Sequence, residues 1–352
     1  MTQYDLSNDT DFEKLKNDLI RTFQSCNINI LIGAGASSPA IKALGNIENE
    51  IDQLLLDNKT DEAIVKSYNF LKNIYEQNSL LIKKVSNENV DITKKNYYDF
   101  INLLYVILQN RKNYKIEPQV NIYTTNYDLF LEYTLETTNR LINYNDGFVN
   151  KNKMFENPYI NIAEFNKKIS YKTELFDYTS NIPNFNVLKL HGSLNWQVDE
   201  CSKIVFQHPQ NTLDNLNKSE TSSIEDVNNI LNKIGVVLPN YNKFEKTVLT
   251  EVYFSFLRYF STNLLKTNSL IFAIGFSFND NHIKELVKTA LKSNPTLQLL
   301  ISIYDFAELD KFIIEFESFR NVSFIFDSTQ KLDLKLLNEY LSEIFEGLTG
   351  DK

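Results

Sequence analysis

The side chains best suited to chemistry follow apolar runs of the sequence. Residues 33–37 read GAGAS after one such run, residues 124–128 read TTNYD after a second, and His191-Gly192 follows a third. A glycine-rich turn after a strand lets backbone amides approach the phosphates of a dinucleotide. Asparagine, aspartate and histidine can hold a ribose and move a proton. The pattern indicates an enzyme that acts on a dinucleotide.

Two glycine-containing turns are the expected phosphate-binding elements. Gly33 and Gly35 permit close backbone approach, the helix start expected after them presents amides, and Ser37 adds a hydroxyl donor. Residues 275–277, which read GFS, are similar to a second turn of this kind. Both segments also fit an ordinary link between a strand and a helix, with no ligand.

The candidate catalytic side chains are Asn126, Asp128 and His191. Ligands of open α/β sheets bind outside the carboxyl ends of the strands, where these residues are expected. Helix capping explains Asn126 and Asp128 equally well, and His191 fits a turn before Gly192. Because all these signals follow strands, one sheet can bring them to a single crevice.

The remaining histidines and the cysteines indicate no metal site. His208 stands in a polar stretch, and His282 follows Asp280 at an expected helix start, so surface or capping roles are predicted for both. Cys201 and His208 form an isolated pair, and no CxxC spacing occurs. With Cys26, the chain has only two cysteines, which fits a reducing cytoplasm.

Composition limits the class of protein. The chain has 352 residues, of which 43% are hydrophobic and 13% aromatic, with a net charge of −9. This composition is globular, and the acidity disfavours binding to nucleic-acid phosphates. No apolar run reaches the roughly 20 residues of a membrane span, and the polar N-terminus is not a secretory signal. We expect a cytoplasmic protein without membrane or direct nucleic-acid partners.

Hydrophobic periodicity predicts alternating helices and strands. Helices are expected over 9–25, within 47–112, and over 128–136, 247–265, 280–291, 306–318 and 331–346. Strands are expected over 29–32, 120–124, 186–190, 270–274, 297–303 and 322–326, with a hairpin over 196–206. Loops and short helices are expected over 140–184, and a long loop or lid over 207–228. The strands are apolar rather than alternating, which predicts an α/β fold with a Rossmann-like, doubly wound parallel sheet.

As a set, the motifs resemble the sirtuin (Sir2) family. GAGAS at 33–37, TTNYD at 124–128, HG at 191–192 and GFS at 275–277 match the family in order and approximate spacing. The resemblance implies one Sir2-like domain over 1–352. Its expected Rossmann-like core covers 26–38, 118–138, 185–196 and 268–330. A helical insertion is expected over 40–115, with variable segments at 140–184 and 197–246.

The resemblance also implies NAD+ as the substrate and assigns roles to residues. Asn126 and His191 are implied as catalytic. The implied NAD+-binding residues are Gly33, Ala34, Gly35, Ser37, Thr125, Asp128, Gly275 and Ser277. Among these, Asp128 is expected at the nicotinamide carboxamide, and Gly33, Ala34, Ser37 and Ser277 at the phosphates. No metal cofactor is expected.

Departures from the deacylase pattern point to a different branch of the family. Two cysteines cannot build the four-cysteine zinc ribbon of sirtuin deacylases. Residues 189–196, KLHGSLNW, instead resemble the Sir2-like domains of bacterial anti-phage defence systems, some of which hydrolyse NAD+. The resemblance therefore implies an NAD+ hydrolase acting as a defence effector. The alternatives are a non-catalytic module that binds NAD+ or ADP-ribose, and an NAD-dependent lysine deacylase.

Such an effector needs control, because unregulated NAD+ loss would kill its host. The sequence shows no obvious sensor domain. We therefore expect a homo-oligomer and a separately encoded sensor, for which the resemblance suggests a HerA-like ATPase.

Overall fold

The computed structural model describes residues 1–41, 47–113, 115–151, 153, 155–172, 179–218, 223–237 and 251–349. Its centre is an eight-stranded sheet. The strands of the described residues are β1 (Thr2–Asp5), β2 (Asn27–Ile32), β3 (Gln119–Thr124), β4 (Asn143–Asn145), β5 (Phe148–Val149), β6 (Tyr159–Ile160), β7 (Ser170–Lys172), β8 (Thr179–Asn181), β9 (Asn184–Lys189), β10 (Gly192–Val198), β11 (Ile204–Phe206), β12 (Ile234–Val236), β13 (Ser269–Ile274), β14 (Gln298–Ser302) and β15 (Val322–Phe326).

The main sheet has the order β1-β15-β14-β13-β2-β3-β9-β4. Every neighbouring pair in it is parallel. Strands β3 and β13, which follow β2 in the chain, lie on opposite sides of it, so the topology reverses direction at β2. This confirms the predicted Rossmann-like α/β fold.

Helices connect and cover these strands. They are α1 (Asp9–Ser25), α2 (Ile47–Leu56), α3 (Thr60–Ile82), α4 (Glu88–Gln109), α5 (Phe130–Thr137), α6 (Pro209–Lys218), α7 (Ile224–Lys233), α8 (Glu251–Leu264), α9 (Asn281–Ser293), α10 (Leu309–Phe316) and α11 (Leu334–Thr349). Local sequence sets several of their starts. The Asn8 side chain accepts hydrogen bonds from the first turn of α1, and Asn87 does the same for α4.

Both faces of the main sheet are buried. Successive side chains of a strand point to opposite faces, and Ile30 therefore belongs to one apolar cluster while Leu31 belongs to the other. Ile122 and Tyr123 divide in the same way. The apolar strands of the sequence are explained by this double burial.

A row of asparagines crosses the middle of the sheet. Asn29, Asn121 and Asn186 are paired in register on β2, β3 and β9. Asn121 donates to Asn29 Oδ1 at 3.1 Å, and Asn186 donates to Asn121 Oδ1 at 2.9 Å. Asn29 completes the row by donating to the Leu270 carbonyl on β13 at 3.1 Å. These bonds satisfy polar groups that are buried among apolar residues.

Some sequence predictions were correct and others were wrong. The helical block between 47 and 112 is present as α2, α3 and α4, and the hairpin over 196–206 as β10 and β11. The segment 140–184, expected as loops and short helices, contains the short 3₁₀ helix Ile162–Asn166, but it also contributes the unpredicted strands β4 to β8. The long loop expected over 207–228 contains helix α6 and the start of α7. Residues 247–250 of the predicted helix over 247–265 lie outside the described residues.

Within the described ranges, no helix combines the length and the apolar composition that crossing a membrane requires.

Candidate active site

Four neighbouring strands of the main sheet end at the same level, because their last residues are paired with one another. Ile274 of β13 pairs with Ile32 of β2, Ile32 with Thr124 of β3, and Thr124 with Lys189 of β9. Parallel strands in register present their carboxyl ends at one edge. The segments after these four strands are those that carry the candidate residues, so the sheet brings all four motifs to a single edge at its switch point.

The two glycine turns pack directly against each other. Gly33 N and Gly35 N donate to the carbonyl oxygens of Ile274 and Gly275 at 3.0 and 3.1 Å. A Cβ on Gly33 would lie 2.4 Å from the Gly275 oxygen. Gly275 has φ +59°, and a Cβ there would lie 2.5 Å from the Ala36 nitrogen. These glycines are therefore explained by backbone contact between β2 and β13, which needs no ligand.

No α-helix starts at the first glycine turn within the described residues 33–41. Residues Ala34–Ser37 form a short 3₁₀ turn. The amides of Gly35 and Ala36 already donate to the carbonyls of Gly275 and Gly33. These two amides are therefore engaged within the protein, and phosphate binding by this turn stays a prediction.

The Ser37 hydroxyl is the centre of a buried hydrogen-bond network. It donates to Asp128 Oδ2 at 2.7 Å and accepts from Asn126 Nδ2 at 3.1 Å. Tyr97 Oη lies 2.9 Å from Ser37 Oγ. A serine hydroxyl has one proton, which goes to Asp128, so the tyrosine must be the donor of this bond. Burial, and then the charge of Asp128, raises the pKa of Tyr97 and keeps it protonated for that purpose.

This network assigns Ser37 a role that differs from the prediction. The side chain is fully buried, and its proton and both lone pairs are engaged. Ser37 is thus placed to position Asp128 and Asn126, and the expected contact between its hydroxyl and a phosphate stays a prediction.

Asn126 is anchored through its amide nitrogen. Nδ2 donates to the Gly33 carbonyl at 2.9 Å and to Ser37 Oγ, and Thr124 Oγ1 accepts from the Asn126 backbone at 3.0 Å. Both amide protons are used, which leaves Oδ1 as the amide atom for a substrate hydroxyl. Asp128 is more enclosed, because Oδ1 also accepts from Phe130 N at 3.3 Å. Asp128 lies one residue before Leu129, the N-cap of α5, so the capping role that the sequence allowed is not the one it has.

A buried ion pair supports the loop that carries Asn126 and Asp128. The Lys189 ammonium donates to the Asn126 carbonyl at 3.2 Å and to the Asp128 carbonyl. It also lies 3.0 Å from Glu132 Oε1. Burial raises the pKa of Glu132 to about 7 against the opposing charge of Lys189. Strand β9 therefore holds the loop after β3 in place.

His191 lies just after the end of strand β9. The side chain is buried, and the His191 carbonyl accepts from Val237 N at 2.8 Å. The chain then turns at Gly192, with φ +87°, where a Cβ would lie 2.0 Å from the Gly235 oxygen. Any larger residue at position 192 would displace this turn. The backbone of His191 is consequently held between the end of β9 and Val237, the residue that follows β12.

His282 is the residue that sequence reasoning missed. Its Nε2 lies 3.0 Å from His191 Nε2, and the rings are 5.0 Å apart. Asp280 Oδ1 lies 3.9 Å from the same His191 nitrogen. The sequence predicted a surface or capping role for His282. Its position shortly after the segment 275–277 could have indicated that it lies near the candidate site. The three side chains also form a group that could hold a metal ion, which the sequence did not predict.

The other predicted residues lie at the rim of this edge. Ala34, Thr125 and Gly275 are partly exposed, and Gly35 and Ser277 are exposed. Ser277 and the backbone of residues 34–35 therefore remain accessible to a ligand, whereas Ser37 and Asp128 lie beneath them.

A sequence profile of the SIR2-like domain matches residues 120–319, which is more than half of the chain. The chain belongs to the SIR2-like family. The match contains Asn126, His191 and Gly275, and the family membership supports an NAD-related function. A comparison with curated proteins gave no match.

Solved Sir2 structures are similar to this SIR2-like chain at low identity. One, described as the structural basis for the mechanism and regulation of Sir2 enzymes, has a TM-score of 0.45 at 12% identity and covers 96% of this chain and 98% of its own. Another, a Sir2 mutant with a p53 peptide and NAD, has a TM-score of 0.42 at 14% identity, with 95% and 97% coverage. The family assignment rests on the match over residues 120–319.

Proposed function

We propose that this SIR2-like protein hydrolyses NAD+ at the bond between nicotinamide and ribose, which yields nicotinamide and ADP-ribose. The observation that carries the proposal is the convergence of Asn126 and His191. They follow β3 and β9, which are paired in register, and so emerge side by side at one sheet edge. A module that only binds a nucleotide needs neither an anchored amide nor a histidine beside it.

The reaction requires a site that tolerates positive charge on the ribose. The bond from C1′ to the nicotinamide nitrogen breaks and its electron pair leaves with nicotinamide, while a water oxygen bonds to C1′. Asn126 Oδ1 accepts a hydrogen bond from a ribose hydroxyl or from the water and orients it. The nearby carboxylate of Asp128 contributes negative potential to the site.

His191 is assigned the role of general base. It takes the proton of the attacking water or of a ribose hydroxyl, since an imidazole ordinarily titrates near neutral pH. Its burial excludes bulk water from the ring, and its attachment to β9 fixes its distance from the loop of Asn126. Fixed placement of a catalytic group lowers the activation barrier, because the group need not be oriented during the reaction.

The proposed biological role is that of an effector that depletes NAD+ during bacterial anti-phage defence. The likeness of residues 189–196 to defence-associated Sir2-like domains supports it. The proposal includes a cytoplasmic homo-oligomer and a separately encoded activator, such as a HerA-like ATPase.

Nicotinamide release from NAD+ by the purified protein tests the proposal. Asn126→Ala and His191→Ala should each lower the rate by about 10²–10⁴-fold, the usual contribution of a positioned catalytic group. Asn17→Ala and His208→Ala are matched controls, because both side chains are exposed and lie outside the site. Wild-type rates in the two site variants contradict the assigned roles.

Two other outcomes identify the alternative functions. NAD+ binding without nicotinamide release, even with the product of a neighbouring gene added, indicates a non-catalytic binding module. Release that depends on an acyl-lysine peptide indicates a deacylase.

A further inference from the structure

We propose that His191, Asp280 and His282 form a binding site for one Zn²⁺ ion, and that the ion inhibits the enzyme when bound. The metal-binding part stands on the geometry of the three side chains alone. The inhibitory part rests on the proposed function, because it needs His191 as the catalytic base.

The ligand atoms of the three residues all lie within 4.8 Å of one another. The nitrogens of His191 and His282 are 3.0 Å apart, and Asp280 Oδ1 is 3.9 Å from the former. Zinc binds imidazole nitrogen and carboxylate oxygen at about 2.0–2.2 Å, so tetrahedral ligands lie about 3.3 Å from each other. The observed separations bracket this value, and small side-chain rotations bring all three atoms onto one ion.

The backbone supports such a site from two directions. His191 is held at the end of β9, whereas Asp280 and His282 flank the start of α9. Asp280 is the residue before this helix, yet its side chain accepts no capping hydrogen bond from the described helix. Its carboxylate oxygen lies instead near His191.

The chemistry of the group suits zinc. Two imidazoles and one carboxylate are the protein ligands found in zinc sites that retain an open position. His191 is buried, while Asp280 and His282 are half-buried, which gives an ion a path from solvent. Calcium and magnesium prefer oxygen ligands only, so the two nitrogens select against them.

Zinc at this position removes the base from the reaction. An ion on His191 Nε2 occupies the lone pair that would take the proton from water or from a ribose hydroxyl. The same site would then allow His191 to act as the base when it holds no ion and prevent this when an ion is bound. The SIR2-like enzyme would thereby contain an off-switch responsive to zinc.

Direct titration of the full chain with Zn²⁺ tests the site. For this experiment the protein is purified with an affinity tag that contains no histidine, and bound metal is removed with a chelator. Calorimetry should show one ion per chain, and His191→Ala and His282→Ala should each weaken binding at least tenfold. His208→Ala should leave it unchanged, and because the chain has three histidines, these variants include all of them. Equal affinity in all three variants overturns the site.

Spectroscopic measurements distinguish the loss of a metal ligand from misfolding of the variant. Near-ultraviolet circular dichroism confirms that each variant is folded, and Asp280→Asn provides a variant of nearly unchanged shape. Co²⁺ added in place of Zn²⁺ should give the wild type a visible absorption band. The His282→Ala and Asp280→Asn variants should lack this band. A band of equal strength in these variants places the ion elsewhere and overturns the site.

Activity measurements separate this inference from the proposed function. Zinc at one equivalent should suppress nicotinamide release by the wild type, and a chelator should restore it. Histidine-dependent zinc binding without any NAD+ hydrolysis, even with the product of a neighbouring gene added, keeps the metal site and refutes the hydrolase. Hydrolysis that is unaffected by bound zinc keeps the hydrolase and overturns the inhibitory role.

Discussion

The Ser37 hydroxyl donates a 2.7 Å hydrogen bond to the Asp128 carboxylate, across 91 positions of sequence. The bond joins the turn after β2 to the loop after β3. Asn126 bonds to the same hydroxyl, so a change in one turn is transmitted to the other. The two segments form one rigid unit at the sheet edge, and several predictions depend on it.

Ser37→Ala should reduce both stability and activity. The buried Asp128 and Asn126 lose a partner, which costs about 1–3 kcal/mol in the free energy of unfolding. Nicotinamide release should also fall, because Asn126 is no longer held in place. Urea unfolding and the release assay measure the two effects. Ser79→Ala is the control, since this exposed hydroxyl donates only to the nearby Glu76 carbonyl in the described bonds, and it should change neither quantity. An active Ser37→Ala protein would show that the network does not position Asn126.

Gly275→Ala should destabilise the sheet edge. The new Cβ lies 2.5 Å from the Ala36 nitrogen at a positive φ of +59°, so the two turns must separate. NAD+ binding, measured by calorimetry, should weaken as a result. Gly347→Ala is the matched control, because the residue is helical and a Cβ added there meets no atom within 4 Å beyond its own helix backbone and chain neighbours. This control should be stabilised by up to about 1 kcal/mol. Equal melting temperatures for the two variants would contradict the contact.

Asn121→Ala should separate stability from catalysis. The variant breaks the row that joins Asn29, Asn121 and Asn186 and leaves buried amides unpaired. Loss of about 2–3 kcal/mol of stability is expected. Because Asn121 lies three residues before the end of β3, the rate per folded molecule should stay near that of wild type at low temperature. A large fall in that rate, with folding intact, would place the row within the active site.

Asp327→Asn should produce a loss of stability that depends on pH. Burial alone would raise the pKa of Asp327, but hydrogen bonds from Thr329, Gln330 and Tyr340 outweigh it and lower the pKa to about 2. The folded state then binds fewer protons than the unfolded state, so the stabilisation is complete above about pH 5 and is lost as pH falls through 2. A shift of this size corresponds to about 2 kcal/mol.

Urea unfolding of wild type and Asp327→Asn from pH 7 to pH 3 measures this linkage. The difference should be largest at pH 7 and narrow toward pH 3. Asp310→Asn, at an exposed position, should differ from wild type by less than about 0.5 kcal/mol throughout. A difference for Asp327→Asn that is independent of pH would contradict a lowered pKa.

Local sequence predicted the elements that depend on neighbouring residues. Strand β13 is an almost continuous apolar run, and α1 has apolar residues at helical spacing behind an asparagine cap. The placement of candidate residues directly after strands predicted a shared sheet edge. Short elements were harder, because β4 to β8 have too few residues for a period to show.

The sequence by itself therefore determined the α/β class, the main strands and the set of segments at the sheet edge. Tertiary structure decided what each side chain does there. It buried the Ser37 hydroxyl beneath Asn126 and brought His282 to His191, a residue 91 positions away. Hydrophobic periodicity records which face of an element is buried. Contacts between distant residues depend instead on which strands are neighbours and in what register, and no local pattern contains that information.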